Sequence, residues 1–361
     1  MSRDAVTRMN TEATMKTETN KKVLLGMSGG IDSTYAVIKL RTLGYEVEGA
    51  VLKMSEHTDV EAAKRSADAL GVKLHVVDCG EDFKKYVVDD FVSEYLRART
   101  PNPCIVCNRE VKFKKLCECA SSLGIDTVCT GHYAHIGRDG AAGRYFVKRG
   151  KDPRKDQSYV LWRLSQEELS MLFFPLADDI KTEVKQISKE LALPSAELKE
   201  SQEICFIPDN DHTGYIERYL GKSIKGGDFV SADGTVLGRH KGVARYTLGQ
   251  RKGLGISLGK HVFVTKIDPD ANTVTLGDEK DLFTNEFDIE DIVFQKREYV
   301  AGESTEAHVK IRYAAPLTEC SVTFADGVAH VVSKEPLRAV TPGQSAVFYD
   351  DDGVLFGGFI R

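Results

Sequence analysis

The amino-acid sequence predicts an α/β protein: a doubly wound parallel sheet, then a small central β domain and a C-terminal β-barrel. Three observations carry that expectation. Strand-like and helix-like stretches alternate from residue 21 to about 130, a glycine-rich turn joins the first strand to the first helix, and beyond about residue 220 short alternating strands follow one another between turn residues. Strands that alternate with helices form parallel sheets, because parallel neighbours need a crossover connection. Runs of short strands with turn signals form barrels or sandwiches instead. A chain of 361 residues has room for two or three domains at roughly 100–200 residues each. We expect a disordered tail over 1–20, the doubly wound α/β domain over 21–218, a central β-rich domain over 219–283 and the barrel over 284–361.

Each element has a local reason. "KKVLLGM" is an apolar run of strand length, and "STYAVIKLRTLG" carries Ala36, Val37, Leu40 and Leu43 at helical spacing. "EVEGAVL" is the next strand, residues 59–70 the next helix and "KLHVVD" the third strand; helical stretches near 81–97 and 109–122 lead to a strand end at "TVCTGH". Later, "HVFVTKI" and "NTVTLG" face each other across Asp268-Pro269-Asp270, a hairpin signal.

Composition sets outer bounds. Hydrophobic residues make up 42% and charged residues 29%, as in globular proteins, and no apolar run approaches the roughly 18 residues of a membrane span. We therefore expect no membrane partner. The first twenty residues are polar and include acids, unlike a secretory or organellar leader. Eight cysteines without an export signal point to a cytoplasmic location, where paired cysteines serve catalysis or metals more often than static disulfides. Net charge is -5, yet Leu237 to His261 holds Arg239, Lys241, Arg245, Arg251, Lys252 and Lys260 without an acid, and "VKRGKDPRKDQS" is a second basic stretch. Such segments on an acidic chain suit a local anionic partner.

The glycine turn narrows the chemistry. "GMSGGIDST" puts Ser28, Gly29 and Gly30 at the carboxyl end of a parallel strand, where ligands bind, and Ser33 and Thr34 near a helix N-terminus that favours anions. No Gly-Lys-Ser/Thr is present, so this is not the kinase or GTPase loop. The Ser-Gly-Gly-x-Asp-Ser pattern resembles the pyrophosphatase loop of N-type ATP pyrophosphatases, the adenine nucleotide α-hydrolase-like fold. That resemblance implies ATP and Mg2+ as cofactors, with Gly26, Met27, Ser28, Gly29, Gly30, Ile31, Asp32 and Ser33 around the nucleotide and Asp32 helping to position the metal.

Seven stretches in order, "GMSGGIDS", "RTPNPCIVCNREVKF", "TGHYA", "KDQSYVLW", "ICFIP", "YTLGQRKGLGI" and "VTPGQSAVFY", resemble the tRNA-specific 2-thiouridylase family. The resemblance implies ATP-dependent replacement of the C2 oxygen of a wobble uridine by sulfur, through an adenylated tRNA. It makes Cys205 the persulfide carrier and Cys107 the nucleophile, with tRNAs reading lysine, glutamine and glutamate codons as substrates and a cysteine desulfurase or sulfur-relay protein as donor. Leu52 falls where the family touches adenine, and Gly131 at a further ATP contact. Asn102, Pro103 and Cys104 match the segment around the target base, and His132, Lys155, Asp156, Gln157, Arg312, Tyr313 and Gln344 match tRNA contacts.

Chemistry independent of the resemblance agrees with it. A uracil oxygen leaves poorly until adenylated, and a persulfide supplies a more acidic and more nucleophilic sulfur than a thiol. Cys107 reads as lying just ahead of a helix starting near Arg109, where helix polarity, Arg109 and Lys112 are expected to lower its pKa. Where many relatives carry aspartate this chain has Cys104, so Cys104, Cys107 and Cys205 could instead hold three irons of a 4Fe-4S cluster. A zinc site of Cys104, Cys107, Cys117 and Cys119 is the weaker metal reading, since Cys117 and Cys119 would face apart on one helix. Cys79, Cys129 and Cys320 read as buried apolar fillers. The enzyme classes that share the glycine loop include amidating pyrophosphatases, which would leave the cysteines idle.

Overall fold

The computed structural model describes residues 22–196 and 204–361; the tail expected over 1–20 lies outside the described residues. The first strand, β1 (Lys22–Gly26), runs into helix α1 (Ile31–Thr42), then β2 (Glu46–Lys53), α2 (Val60–Leu70) and β3 (Lys73–Asp78). Two long helical stretches follow, α3 over 80–96 and α4 over 103–122. Each contains a π-helical turn, Lys84–Val88 and Asn108–Lys112. Next come β4 (Val128–Cys129), a hairpin of β5 (Ala134–Arg138) and β6 (Tyr145–Arg149), helix α5 (Gln166–Met171), β7 (Leu172–Phe173), α6 (Lys181–Glu190) and α7 (His212–Leu220).

The main sheet has the order β3-β2-β1-β4-β7 with every pairing parallel. Successive side chains of β1 point to opposite faces. Leu24 enters a core with Phe83, Phe91, Ile105 and Leu116, while Val23 and Leu25 enter another with Val37, Leu40 and Val184. Helices thus cover both faces, which is the doubly wound arrangement. Among the described residues no helix is long and apolar enough to cross a membrane.

The rest is β-rich. Strands β8 (Gly227–Val230), β9 (Val236–His240), β10 (Phe263–Asp268) and β11 (Thr273–Gly277) form a sheet of order β10-β11-β8-β9, in which β10 and β11 are the antiparallel hairpin read from the sequence. Strands β12 (Phe283–Phe294), β13 (Ser304–Lys310), β14 (Thr318–Ala325), β15 (Val328–Arg338), β16 (Ser345–Tyr349) and β17 (Val354–Ile360) close into a six-stranded barrel. The barrel docks on the first unit through buried polar groups. Gln295, fully buried, accepts from the Val147 amide and donates to the Leu161 and Trp162 carbonyls, and the Trp162 indole donates to Ser345 Oγ at 3.0 Å. Satisfied buried networks of this kind fix one relative placement.

Candidate active site

The glycine turn sits where β1 ends. Gly30 is the N-cap of α1, and no side chain caps that end, so the first amides of the helix face the pocket as an anion site. Ser33 and Thr34 donate their hydroxyls back to the Gly30 carbonyl at 3.1 and 2.9 Å, and the Gly30 amide donates to Ser28 Oγ at 3.3 Å. Gly29 adopts φ +78, and a Cβ there would lie 2.6 Å from the backbone of α2; only glycine lets the loop fold so tightly. Met27 and Ile31 bury their side chains in the core, leaving their backbone for any ligand.

Asp32 is gripped by residues of α6, packed beside α1 on the same face of the sheet, and of the segment after β4. Lys181 Nζ lies 2.5 and 2.6 Å from its two carboxylate oxygens, and the Tyr133 hydroxyl donates to it at 2.7 Å. The Lys181 side chain is 6% exposed and that of Asp32 32%. Gly131 stands against the same residue: a Cβ on it would fall 2.9 Å from Asp32 Cβ. Sequence reading missed Lys181 and Tyr133. The signal for Lys181 was a lysine on the first turn of a helix, where the helix dipole disfavours a cation unless an anion compensates it.

A pocket of about 490 Å³ joins this loop to the cysteines. Its walls include Gly26, Ser28, Asp32, Leu52, Gly131 and His132, with Cys104, Cys107 and Cys205 on one side. Helix α4 begins at Pro103, with Asn102 as N-cap, and not near Arg109 as expected. A proline on the first turn is itself a helix-start signal, because its missing N–H has no partner there in any case. Cys104 is thus exposed on the first turn, and Cys107 lies one turn on, buried, its thiol donating to Met54 Sδ at 3.8 Å. Cys205 is exposed. Next to it, Phe206 packs edge-on against Phe83 and Phe91, and this anchor brings a residue 98 positions away in sequence to the same pocket.

The expected lowering of the Cys107 pKa is overturned. Burial pushes its thiol up to about 12, with Cys205 and Cys104 nearby adding to the rise and Lys112 opposing it. Arg109 gives no help, since its guanidinium donates to the Arg163 carbonyl at 2.6 Å. The Cys205 thiol is also raised, chiefly by the atoms packed around its sulfur although the residue is exposed, and again Lys112 opposes the shift.

The remaining candidates fall into two groups. His132 is wedged between Phe113 and Phe174, its Nδ1 2.6 Å from Thr130 Oγ1, and burial holds it well below the usual imidazole range. Gln157 lines the same pocket and accepts from the Tyr133 amide at 2.9 Å. The Asp156 carboxylate is buried and accepts from the Gly150 and Ser158 amides, so it shapes its loop; Lys155 beside it is half-buried. Tyr313 is 41% exposed and stands edge-on to Tyr159, two residues after Gln157. Arg312 donates to the Arg338 carbonyl, and Gln344 donates to the Thr100 carbonyl at 2.7 Å.

Three cysteines line one pocket, yet among the described residues no group of three or more His, Cys, Asp or Glu is arranged to hold a metal ion. Cys117 and Cys119 lie on one helix and do not line the pocket. Cys129 and Cys320 are fully buried in strands and Cys79 is buried just after β3, in keeping with apolar packing.

Comparison with known proteins follows the same three parts. Residues 21–209 match a family model described as a tRNA methyl transferase HUP domain, 213–278 a tRNA methyl transferase PRC-barrel domain, and 284–360 an aminomethyltransferase beta-barrel domain. The tRNA-specific 2-thiouridylase MnmA of Clostridium acetobutylicum is 42% identical over 360 residues, covering 95% of this chain and 100% of its own. Its namesakes in Clostridioides difficile and Acetivibrio thermocellus are 41% and 43% identical, over 95% and 94% of this chain and 98% and 99% of theirs. Among solved structures, an NH3-dependent NAD synthetase from Campylobacter jejuni is similar over 53% of this chain and 70% of its own, at 18% identity and TM-score 0.32.

Proposed function

The chain belongs to the tRNA-specific 2-thiouridylase family and performs ATP-dependent 2-thiolation of tRNA, and on that premise we propose that the sulfur reaches the wobble uridine from a persulfide on Cys205. The observation that carries this reading is the single pocket shared by the pyrophosphate-type loop and the three cysteines. ATP lies with its phosphates at the head of α1, between Ser28, Gly30 and Ser33, and its adenine toward Leu52. The uridine O2 attacks the α-phosphorus, pyrophosphate leaves, and the C2 carbon becomes an electrophile with AMP as leaving group. Lys181 holds the Asp32 carboxylate in place while phosphate charge gathers beside it. Mg2+ is usually held by one or two carboxylates plus substrate phosphates; Asp32, a third exposed beside the loop although its oxygens also accept from Lys181 and Tyr133, is the carboxylate that would hold it, and the ion would supply charge neutralisation on the polyphosphate.

The sulfur steps balance between two thiols. Cys107 gives up its thiol proton as its sulfur attacks the inner sulfur of the Cys205 persulfide; the S–S bond breaks, the terminal sulfur leaves with the bonding pair and takes up that proton as hydrogen sulfide, in equilibrium with hydrosulfide, and a Cys107–Cys205 disulfide remains. Hydrosulfide adds to C2, AMP departs, and 2-thiouridine forms. An external thiol reductant reopens the disulfide, which suits a cytoplasmic setting for eight unpaired cysteines. The donor that loads Cys205 is a cysteine desulfurase or sulfur-relay protein, and the substrates are the tRNAs reading lysine, glutamine and glutamate codons. Their backbone is met by Lys155, Arg312 and neighbouring cations, with Tyr313 exposed for stacking. A 4Fe-4S cluster on Cys104, Cys107 and Cys205 is the second reading, prompted by the third sulfur in the pocket; no group arranged for a metal supports it among the described residues.

The test is Cys205→Ser. It should abolish thiolation while AMP release with ATP and tRNA persists; preserved thiolation refutes the assignment.

A further inference from the structure

The segment that leads the cysteines into the pocket is bonded to all three parts of the molecule. Helix α4 starts without a side-chain cap on its first turn. Just ahead of it, Pro101 and Asn102 border a second cavity of about 350 Å³ whose other walls include Asp90, Arg163, Glu290 and Asp291. Close packing fixes positions in apolar cores. Over a charged cavity, directional bonds have to do so.

Those bonds come from the other two parts of the molecule. The Thr100 amide donates to the Pro342 carbonyl at 2.8 Å, and Gln344 Nε2 donates to the Thr100 carbonyl at 2.7 Å, both from the barrel side. The Thr100 hydroxyl donates to Thr247 Oγ1, on the central unit, at 3.4 Å. One residue earlier, Arg99 holds Glu94 of α3 at 2.7 Å and reaches Glu290 at 2.9 Å and the Ile360 carbonyl at 3.2 Å on the barrel. Gly343 permits the approach. Its φ is +85, and a Cβ would fall 2.9 Å from Arg99 Cβ and 3.0 Å from the Thr100 nitrogen.

We infer that the C-terminal barrel positions the cysteine-bearing helix, with Gln344 and Arg99 as positioning residues that act through Thr100 on Cys104 and Cys107. Thr100 lies four residues ahead of Cys104, so displacement of the barrel loop moves the first turn of α4 with it. Whatever binds the barrel is thereby coupled to the thiols. The consequence for thiolation rests on the function proposed above; the tether itself does not. A role for Gln344 as a plain tRNA contact makes a different prediction, since its side-chain amide would then affect binding and not the helix.

The experiment compares full-length Gln344→Ala, Arg99→Ala, Arg99→Lys and Glu290→Gln with the parent protein. Hydrogen exchange over residues 99–107 should rise about tenfold in Gln344→Ala, with β13 and β14 unchanged. Single-turnover thiolation at saturating tRNA should fall by about ten- to a hundredfold, as misplacement by an ångström does elsewhere, while tRNA Kd shifts less than about threefold. Arg99→Lys, which keeps the charge but not the fork that bridges Glu94 and Glu290, should recover only part of what Arg99→Ala loses. Glu290→Gln loosens the same segment from the barrel side and serves if Gln344→Ala does not fold. Unchanged exchange over 99–107, or a loss confined to Kd, overturns the inference. A parent protein that makes no 2-thiouridine fails the functional reading instead, and the exchange data still decide the tether.

Discussion

Cys107 should react as a protected thiol in the free enzyme, and its pH profile separates two opposed expectations. Neighbouring cations and helix polarity, read from sequence, would lower its ionisation below the usual 9. Burial in the structure places it at about 12, against a usual 9. At pH 8 that difference lowers the thiolate fraction about a thousandfold, and the greater nucleophilicity of a more basic thiolate returns about 15- to 30-fold, leaving alkylation roughly 30- to 60-fold slower than for an ordinary cysteine. Limited access lowers the whole curve without moving its inflection, so the shape is the diagnostic. Iodoacetamide labelling of Cys107, followed by peptide mass spectrometry from pH 7 to 11, should rise about tenfold per pH unit without levelling. A plateau above pH 8 or 9 would refute the burial argument. Lys112→Met should move the curve further up, because Lys112 is the group that opposes the shift.

Lys181→Met leaves the Asp32 carboxylate without its cation; AMP formation should fall at least about a hundredfold, and stability should drop by roughly 2–3 kcal/mol in urea titration, below the roughly 3–5 kcal/mol of a fully buried pair because Asp32 keeps a third of its side chain exposed. Unchanged AMP formation would make the pair purely structural. Cys104→Ser should keep single-turnover thiolation from preloaded persulfide within about threefold, whereas loss of activity would favour a ligand role for Cys104. Burial raises the Cys79, Cys107 and Cys117 thiols to about 11, 12 and 12. The folded chain keeps those protons above pH 9, where the unfolded chain releases them, so their stabilisation is complete below pH 9 and is lost as pH climbs toward 12, by up to about 1.4 kcal/mol per pH unit for each thiol. Denaturation midpoints that stay flat from pH 9 to 10.5 would contradict this.

What could be read from the sequence was whatever local periodicity encodes. The apolar strands, the glycine turn at the end of β1 and the β10–β11 hairpin each lie within one short window, and the structure has them where the residues put them. The start of α4 is also local, encoded in Asn102-Pro103, a proline on the first helical turn, and not in the charged run after Cys107. The Asp32–Lys181 pair spans 149 residues, and the bonds to Thr100 from Gln344 span 244; no local pattern reports either. Burial of Cys107 is likewise a tertiary fact. Sequence places cations near the thiol, and only the fold turns Arg109 away to the Arg163 carbonyl.

The central claim is the route of the sulfur, and it is tested most directly by one turnover of tRNA thiolation. The protein would be prepared without oxygen, freed of iron, loaded with persulfide on Cys205 and mixed with ATP, magnesium and tRNA. The account predicts one 2-thiouridine per persulfide, with a Cys107–Cys205 disulfide appearing in the protein at the same rate. Thiolation that returns only when an iron-sulfur cluster is rebuilt, or that proceeds without the disulfide, would contradict it.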